Sequence, residues 1–155
     1  MTYAANTSVS VSKTKGEIDA LLRKHKATAY ATMEEASRAQ IAFHMQGRHI
    51  IFRLPLPDPS DKQFAMTARG QRRSADAQLQ LWEQACRSRW RALFLCIKAK
   101  LESIESGIET FEDAFLAHIM MPDGATVGEH AKPMIARSYE SGTMQPLLPA
   151  PGGSQ

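Results

Sequence analysis

The chain has 155 residues, of which 43% are hydrophobic and 23% are charged, and its formal net charge is +3 at pH 7. This length suffices for one domain and is too short for two ordinary ones, and the composition is that of a folded protein. No apolar run approaches the roughly 20 residues that span a bilayer, and the N-terminal residues lack a signal-peptide pattern. We therefore expect a cytoplasmic protein without a membrane partner.

The charges are unevenly distributed along the chain. Residues 61–101 contain nine basic and three acidic residues, whereas residues 102–155 contain two basic and eight acidic residues. Such a pattern is typical of a surface that binds polyanions, or of self-association between opposite ends of two copies. Pairing of the two regions within one molecule would also explain it, and the sequence leaves these alternatives open.

The first third of the sequence predicts a helix followed by a β-meander. Residues 1–12 are expected to form a flexible tail, and Thr14 with Glu17 matches a capping box that begins a helix ending near His25. The hydrophobic period then changes from 3.6 to 2, which indicates strands. The predicted strands are 28–33, 40–45 and 48–54, with residues 34–37 as a polar turn and the core-facing side chains of the third strand at Ile50, Phe52 and Leu54.

One long amphipathic helix is predicted after a loop. Prolines interrupt the chain from Pro55 onward, and the resulting loop reaches Arg73. Ser74 is then expected to cap a helix that ends at Gly107. Large apolar residues recur once per turn along this helix, at Trp82, Cys86, Trp90, Leu93, Ile97, Leu101 and Ile104.

Two shorter helices are expected to complete the fold. The patterns predict a helix from Phe111 to Ile119 and another from Val127 to Ser141, before a Pro/Gly-rich tail over residues 143–155. The predicted fold class is α+β, with a three-stranded antiparallel meander packed on the long helix. The element order is α-β-β-β-α-α-α, in a single domain over residues 13–142.

Catalytic and metal-binding signatures are not recognisable in the sequence. Cys86 and Cys96 are ten residues apart on one helix, about 15 Å, which is too far for a disulfide, and both are interpreted as inert core thiols. His44 and His49 flank a turn but have no third ligand nearby. We therefore predict no cofactor and no metal, and no enzyme activity. A weak alternative is a Mg²⁺-dependent nuclease that uses the carboxylates between Glu102 and Asp113.

The basic residues are the remaining candidates for function. Arginine binds phosphate with two parallel hydrogen bonds and stacks on bases, and few acidic residues lie among these cations. Arg87 and Arg91 are expected on the face of the long helix opposite its apolar residues. The predicted nucleic-acid-binding residues are Arg53, Arg69, Arg72, Arg73, Arg87, Arg91 and Lys98. A solvated charged face is the alternative interpretation.

Several short segments resemble a family of small proteins encoded by tailed bacteriophages and prophages. They begin at Lys13, Phe52, Arg89, Ile97 and Met121, and read KTK, FRLPLP, RWRAL, IKAKLE and MPDG. The resemblance implies a phage protein in a DNA-metabolism setting and carries no assigned function. The order of elements is also similar to that of double-stranded-RNA-binding domains and of phage single-strand annealing proteins, which form oligomers. Glu34 and Glu35 stand where the former family has a Gly-Pro-His loop.

We therefore expect a non-enzymatic nucleic-acid-binding protein of phage DNA metabolism. Binding to DNA without sequence specificity is expected, with single-stranded DNA binding or annealing by a homo-oligomer as the specific hypothesis. The alternative is a protein–protein adaptor, or an inhibitor of a host factor, that binds through the long helix or the acidic C-terminal third.

Overall fold

A computed structural model describes residues 3–151 of the chain. Within residues 3–151 the fold is α+β, as predicted, and consists of one antiparallel sheet, five α-helices and one 3-10 turn, Leu116–His118, after the fourth helix. The elements in chain order are α1 (Val11–Lys24), β1 (Ala29–Glu35), β2 (Arg38–Met45), β3 (Arg48–Pro55), α2 (Lys62–Ala65), α3 (Ala75–Glu105), α4 (Phe111–Phe115) and α5 (Val127–Ser141).

Helix α1 begins one turn earlier than the capping-box pattern predicted. The side chain of Ser10 is the N-cap and accepts a hydrogen bond from the backbone N–H of Lys13 at 3.2 Å. Thr14, the predicted cap, is instead fully buried inside the helix, and its hydroxyl has no hydrogen-bond partner among residues 3–151. The prediction failed because Ser10 and Thr14 both offer a capping hydroxyl, and the sequence does not show which of them is buried.

The residues before α1 pack against α3. Ala4 is 2% exposed, and the side-chain amide of Gln84 donates to the carbonyls of Ala5 and Thr7 at 3.2 and 2.9 Å. Ser88 donates to the carbonyl of Ala5 as well. A flexible tail was expected over residues 1–12, and that expectation did not include these contacts with α3. Residues 1 and 2 lie outside the described part of the chain.

The three strands form the predicted meander in the order β1-β2-β3. The first turn is shorter than expected, because Glu35 pairs with Arg38 and only two residues connect the strands. Gln46 and Gly47 make the second turn with positive φ angles of 49° and 73°. The side chains of Ile50 and Phe52 face the core as predicted, whereas Met33, on the opposite face of the sheet, is 51% exposed.

Helix α3 spans 31 residues, as the apolar spacing predicted, and provides the centre of the core. Trp90, Ile97 and Leu101 are at most 2% exposed and lie in one cluster with α1, β2, β3 and α4. Cys86 is buried but Cys96 is exposed, so the interpretation of both cysteines as core thiols is wrong for Cys96. Cys96 is six residues beyond Trp90, which places it about 120° around the helix from the core.

The C-terminal elements attach to the free edge of β3. Ile119 forms a bridge with Ile50, and the backbone N–H of Met120 donates to the carbonyl of His49 at 2.8 Å. The predicted helix over 111–119 therefore ends early, because its last residues pair with a strand. In the tail, the backbone N–H of Gln145 donates to the hydroxyl of Ser138. The expected tail at residues 143–155 is described only as far as residue 151.

Candidate functional site

The loop before α3 contains an ordered hairpin, residues 66–73, which we call the arginine hairpin. Met66 and Arg72 form a bridge, and the backbone N–H of Thr67 donates to the carbonyl of Gln71 at 2.7 Å. Gly70 closes the turn at a φ of 79°, a value that glycine adopts without strain. The sequence predicted a loop here. That loop contains regular structure, since α2 and this hairpin both form within it.

The side chain of Arg73 donates hydrogen bonds to backbone carbonyls of α2 and of the arginine hairpin. One guanidinium nitrogen of Arg73 donates to the carbonyls of Gln63, Phe64 and Met66, at 3.0, 3.2 and 2.5 Å. Its backbone N–H donates to the carbonyl of Ala65 at 2.8 Å. These carbonyls end α2 and begin the hairpin, and a single charged donor satisfies them. Arg73 is therefore a structural residue of this loop, and its predicted contact with nucleic acid would compete with these bonds.

Arg69 and Arg72 project from the same hairpin into solvent. Both side chains are exposed, and neither forms a hydrogen bond or ion pair within residues 3–151. Lys62 on α2 is also exposed and without an ion pair in the described chain. Lys62 was not among the predicted binding residues. The sequence indicated it only by its place among the basic residues of this loop. The positively polarised N-terminus of α3 follows directly, capped by Ser74.

Arg87 and Arg91 are half-buried beside α1 and the N-terminal segment rather than on a free face of α3. The guanidinium of Arg87 donates to the side-chain oxygen of Gln84 at 2.6 and 3.1 Å. Arg91 forms an ion pair with Glu17 of α1 and lies 4.4 Å from the ring centre of Phe94. The prediction that these arginines face away from the packed side of α3 was wrong. The apolar period locates the sheet-facing side of a helix and does not reveal that α1 covers a second side.

Arg53 and Lys98 lie away from the arginine hairpin. Arg53 forms an ion pair with Glu129 of α5 and donates to the side chain of Gln40 at 2.7 Å. This ion pair and a hydrogen bond from the Thr126 backbone lower the pKa of Glu129. Lys98 is exposed without an ion pair inside the described range, but it is about 35 Å along α3 from the hairpin. The seven predicted residues therefore do not form one continuous surface.

The carboxylates between Glu102 and Asp113 are distributed among separate partners. Glu105 lies 3.4 Å from the ring of His25, and Glu112 pairs with Arg48 at 2.7 Å. Glu109 accepts a hydrogen bond from Ser103, and Asp113 accepts one from Thr110. Across residues 3–151, no three His, Cys, Asp or Glu side chains converge on a point where a metal ion could bind. The arrangement therefore gives the nuclease hypothesis no support.

A second concave site, which the sequence analysis missed, lies between α3, the start of α1 and the turn between β1 and β2. It has a volume of about 400 Å³, and we call it the tryptophan pocket. Both tryptophans of the chain line it, together with Cys86, and carboxylates stand at its rim. The available signal was Trp82, the first residue of the apolar series along α3.

Comparison with protein-family models, curated proteins and solved structures gives no match to this chain. Between residues 3 and 151, none of the helices combines the length and apolar character that crossing a membrane requires. The functional argument consequently depends on the geometry of the two sites.

Proposed function

We propose that this protein binds nucleic acid through the arginine hairpin, by contacts to the phosphate backbone. The observation that carries the proposal is the pair Arg69 and Arg72, which an ordered hairpin holds in solvent without an ion pair in the described chain. Arginine guanidinium groups bind phosphate oxygens with two parallel hydrogen bonds. Because the hairpin backbone is already folded, binding would have to order only the two arginine side chains.

Two nearby features support the same assignment. Lys62 adds a third exposed cation to the same loop, and the N-terminus of α3 adds the positive end of a helix dipole. The exposed acidic side chains near the loop include Asp58, which accepts from Ser60, Asp61, which caps α2, and Asp76 in the first turn of α3. Because the basic groups would contact phosphates rather than base edges, binding without sequence specificity is proposed.

The place of this activity in phage DNA metabolism is proposed from the resemblance described above. Non-enzymatic binding of single-stranded DNA, or annealing by an oligomer, is the specific form of that proposal. Light scattering with and without an oligonucleotide would measure the assembly state directly.

Fluorescence anisotropy with labelled single- and double-stranded oligonucleotides tests the proposal. The double variant Arg69→Ala/Arg72→Ala should weaken binding about tenfold or more at low salt. It should also reduce the slope of log K against log salt by about two, because two phosphate contacts are lost. The difference in affinity between single and double strands identifies the form of nucleic acid that is bound.

A matched control removes the same charge elsewhere. Lys132 and Arg137 on α5 are exposed and have no ion pair within residues 3–151. The variant Lys132→Ala/Arg137→Ala should therefore lower affinity much less than the hairpin variant. Absence of binding at about 50 mM salt, or equal losses in the two double variants, would overturn the proposal.

A further inference from the structure

The tryptophan pocket has apolar walls fixed by the fold. Its walls include Val11 of α1, Leu56 after β3, and Trp82, Cys86 and Trp90 of α3. The indole N–H of Trp82 donates to the carbonyl of Pro57 at 2.7 Å, so the only polar atom of that ring is already satisfied. The ring itself remains available as a wall. A volume of about 400 Å³ is within the usual range for small-ligand sites, roughly 300–1,000 Å³.

Three carboxylates and one cation line the pocket: Glu34, Glu35 and Glu83 against Arg87. Glu34 and Glu35 have partners, because Lys15 lies 2.7 Å from Glu34 and Arg38 binds Glu35 with two hydrogen bonds. Glu83 is exposed and has no hydrogen bond or ion pair within the described residues. One rim carboxylate is thus available to a ligand.

The pKa of the Cys86 thiol, in the wall of the pocket, is affected by burial and also by the nearby carboxylates. Burial raises the pKa of Cys86, and the charges of Glu34 and Glu83 raise it further. Arg87 acts in the opposite direction and is the smallest of these influences. The two carboxylate contributions favour a cation near the thiol, whereas burial, the largest cause, disfavours a charge of either sign.

Next to the pocket, Lys15 contacts both an indole ring and a carboxylate. Its ammonium nitrogen lies 4.8 Å from the ring centre of Trp90 and 2.7 Å from a carboxylate oxygen of Glu34. A cation held between an indole face and a carboxylate gains both cation–π attraction and ion pairing. Trp82 and the unpaired Glu83 both line the pocket and likewise provide an indole ring and a carboxylate.

We propose that the tryptophan pocket binds an organic cation, an ammonium or guanidinium group attached to an apolar body. The body occupies the space beside Trp82 and Leu56, and the cationic group pairs with Glu83. A free amine and a lysine or arginine side chain of a peptide share this chemistry. The site is separate from the arginine hairpin, so this inference does not depend on the proposed function.

Tryptophan fluorescence provides a direct test, because both tryptophans line the pocket. The probes are 4-phenylbutylammonium, the neutral 4-phenylbutanol and the anionic 4-phenylbutanoate, which share one apolar body. We expect the ammonium to bind about tenfold more tightly than the alcohol and the carboxylate not to bind. A lysine-containing tripeptide forms a further arm, and its affinity relative to the free amine identifies the source of the cation.

Glu83→Gln should reduce the affinity for 4-phenylbutylammonium several-fold without changing the affinity for the alcohol. Glu102→Gln, an exposed position further along α3, is the matched control and should change neither. In a Cys96→Ser background, saturating amine should also slow alkylation of Cys86. Equal binding of amine and alcohol, preference for the anion, or no fluorescence change with any cationic probe would each overturn the proposal.

Discussion

The two ends of α3 differ in how their charged residues are partnered. Near its C-terminal end, Glu112 forms an ion pair with Arg48 and Glu129 forms one with Arg53. Lys98 and Glu102 at that end have no ion pair within the described chain. At the N-terminal end, Arg69, Arg72 and Glu83 have no ion pair within the described chain either. Among these residues, ion pairs therefore join separate elements only near the C-terminal end, which we call the C-terminal junction, and the N-terminal end retains charges that a ligand can use.

This difference separates two interpretations that the charge distribution alone could not separate. The acidic C-terminal third does neutralise part of the basic charge, but the arginines it pairs with, Arg48 and Arg53, belong to β3. The cations of the arginine hairpin are not among its partners in residues 3–151. Internal ion pairing with β3 and ligand binding at the arginine hairpin are thus both consistent with the charge distribution of the sequence.

The largest expected effect tests the packing of the C-terminal junction. A Cβ atom at Gly128 would lie 2.8 Å from the backbone carbonyl oxygen of Ala117, and neither backbone can move easily. Gly128→Ala should therefore lower the free energy of unfolding by up to about 3 kcal/mol, measured by urea denaturation.

Gly16→Ala is the matched control for that substitution. Gly16 lies inside α1 with no atom within 4 Å of an added Cβ, so alanine should stabilise the protein by up to about 1 kcal/mol. If both variants lose stability to the same extent, the junction is not closely packed and the contrast between the two ends weakens.

A smaller loss is expected from the residue that shapes the N-terminal end. Arg73→Ala removes a charged donor from three carbonyls and should cost roughly 2 kcal/mol, whereas Arg72→Ala should change stability by no more than about 0.5 kcal/mol. Thermal unfolding of the two variants measures the difference. If the two variants lose the same free energy of unfolding, Arg72 and Arg73 contribute equally to the loop, and the structural role assigned to Arg73 is wrong.

The sequence predicted the elements of the fold better than the roles of its charged residues. Periodic patterns located α3 and the meander, because burial of one face repeats along a single element. A capping box located the start of α5. The same patterns missed Ser10 as the cap of α1 and the exposure of Cys96. Those features depend on which neighbours surround a residue, and only the assembled structure provides that information.

The candidate sites show the same division. Arg69 and Arg72 could be selected from sequence because they lie in a loop beside a helix start. Arg91 was indistinguishable from them until Glu17 of α1 was placed next to it. The tryptophan pocket was not predictable, because its walls come from segments that are far apart in the chain.

A pH-dependent effect should come from His118 at the C-terminal junction. Its ring stacks on Phe52 at 3.9 Å between ring centres, and burial, with a further contribution from Lys100, lowers its pKa below the ordinary histidine value of 6.5. The unfolded chain therefore binds a proton at this site more readily than the folded one. Stability should fall as the pH decreases below about 6.5, until the lowered folded-state pKa is passed.

Melting temperatures between about pH 8 and pH 5 test this expectation. His118→Phe keeps the ring stacking on Phe52 but cannot titrate, so its melting temperature should decrease less on acidification than that of the natural sequence. His49→Gln, at an exposed position of β3, is the control for loss of a histidine. A His118→Phe profile parallel to that of the unaltered chain would contradict the assignment.

The smallest effect is expected from the ion pairs that distinguish the C-terminal end. Arg48 and Glu112 are 2.7 Å apart, but their side chains remain 47% and 57% exposed. A double-mutant cycle with Arg48→Ala and Glu112→Ala should give a coupling of no more than about 1 kcal/mol, and high salt should reduce it further. Aromatic packing, including Phe115 against Phe43 at 5.7 Å, would then hold this end together. A larger, salt-resistant coupling would instead mean that ion pairing itself stabilises the junction, and the acidic third would have a structural role beyond neutralising β3.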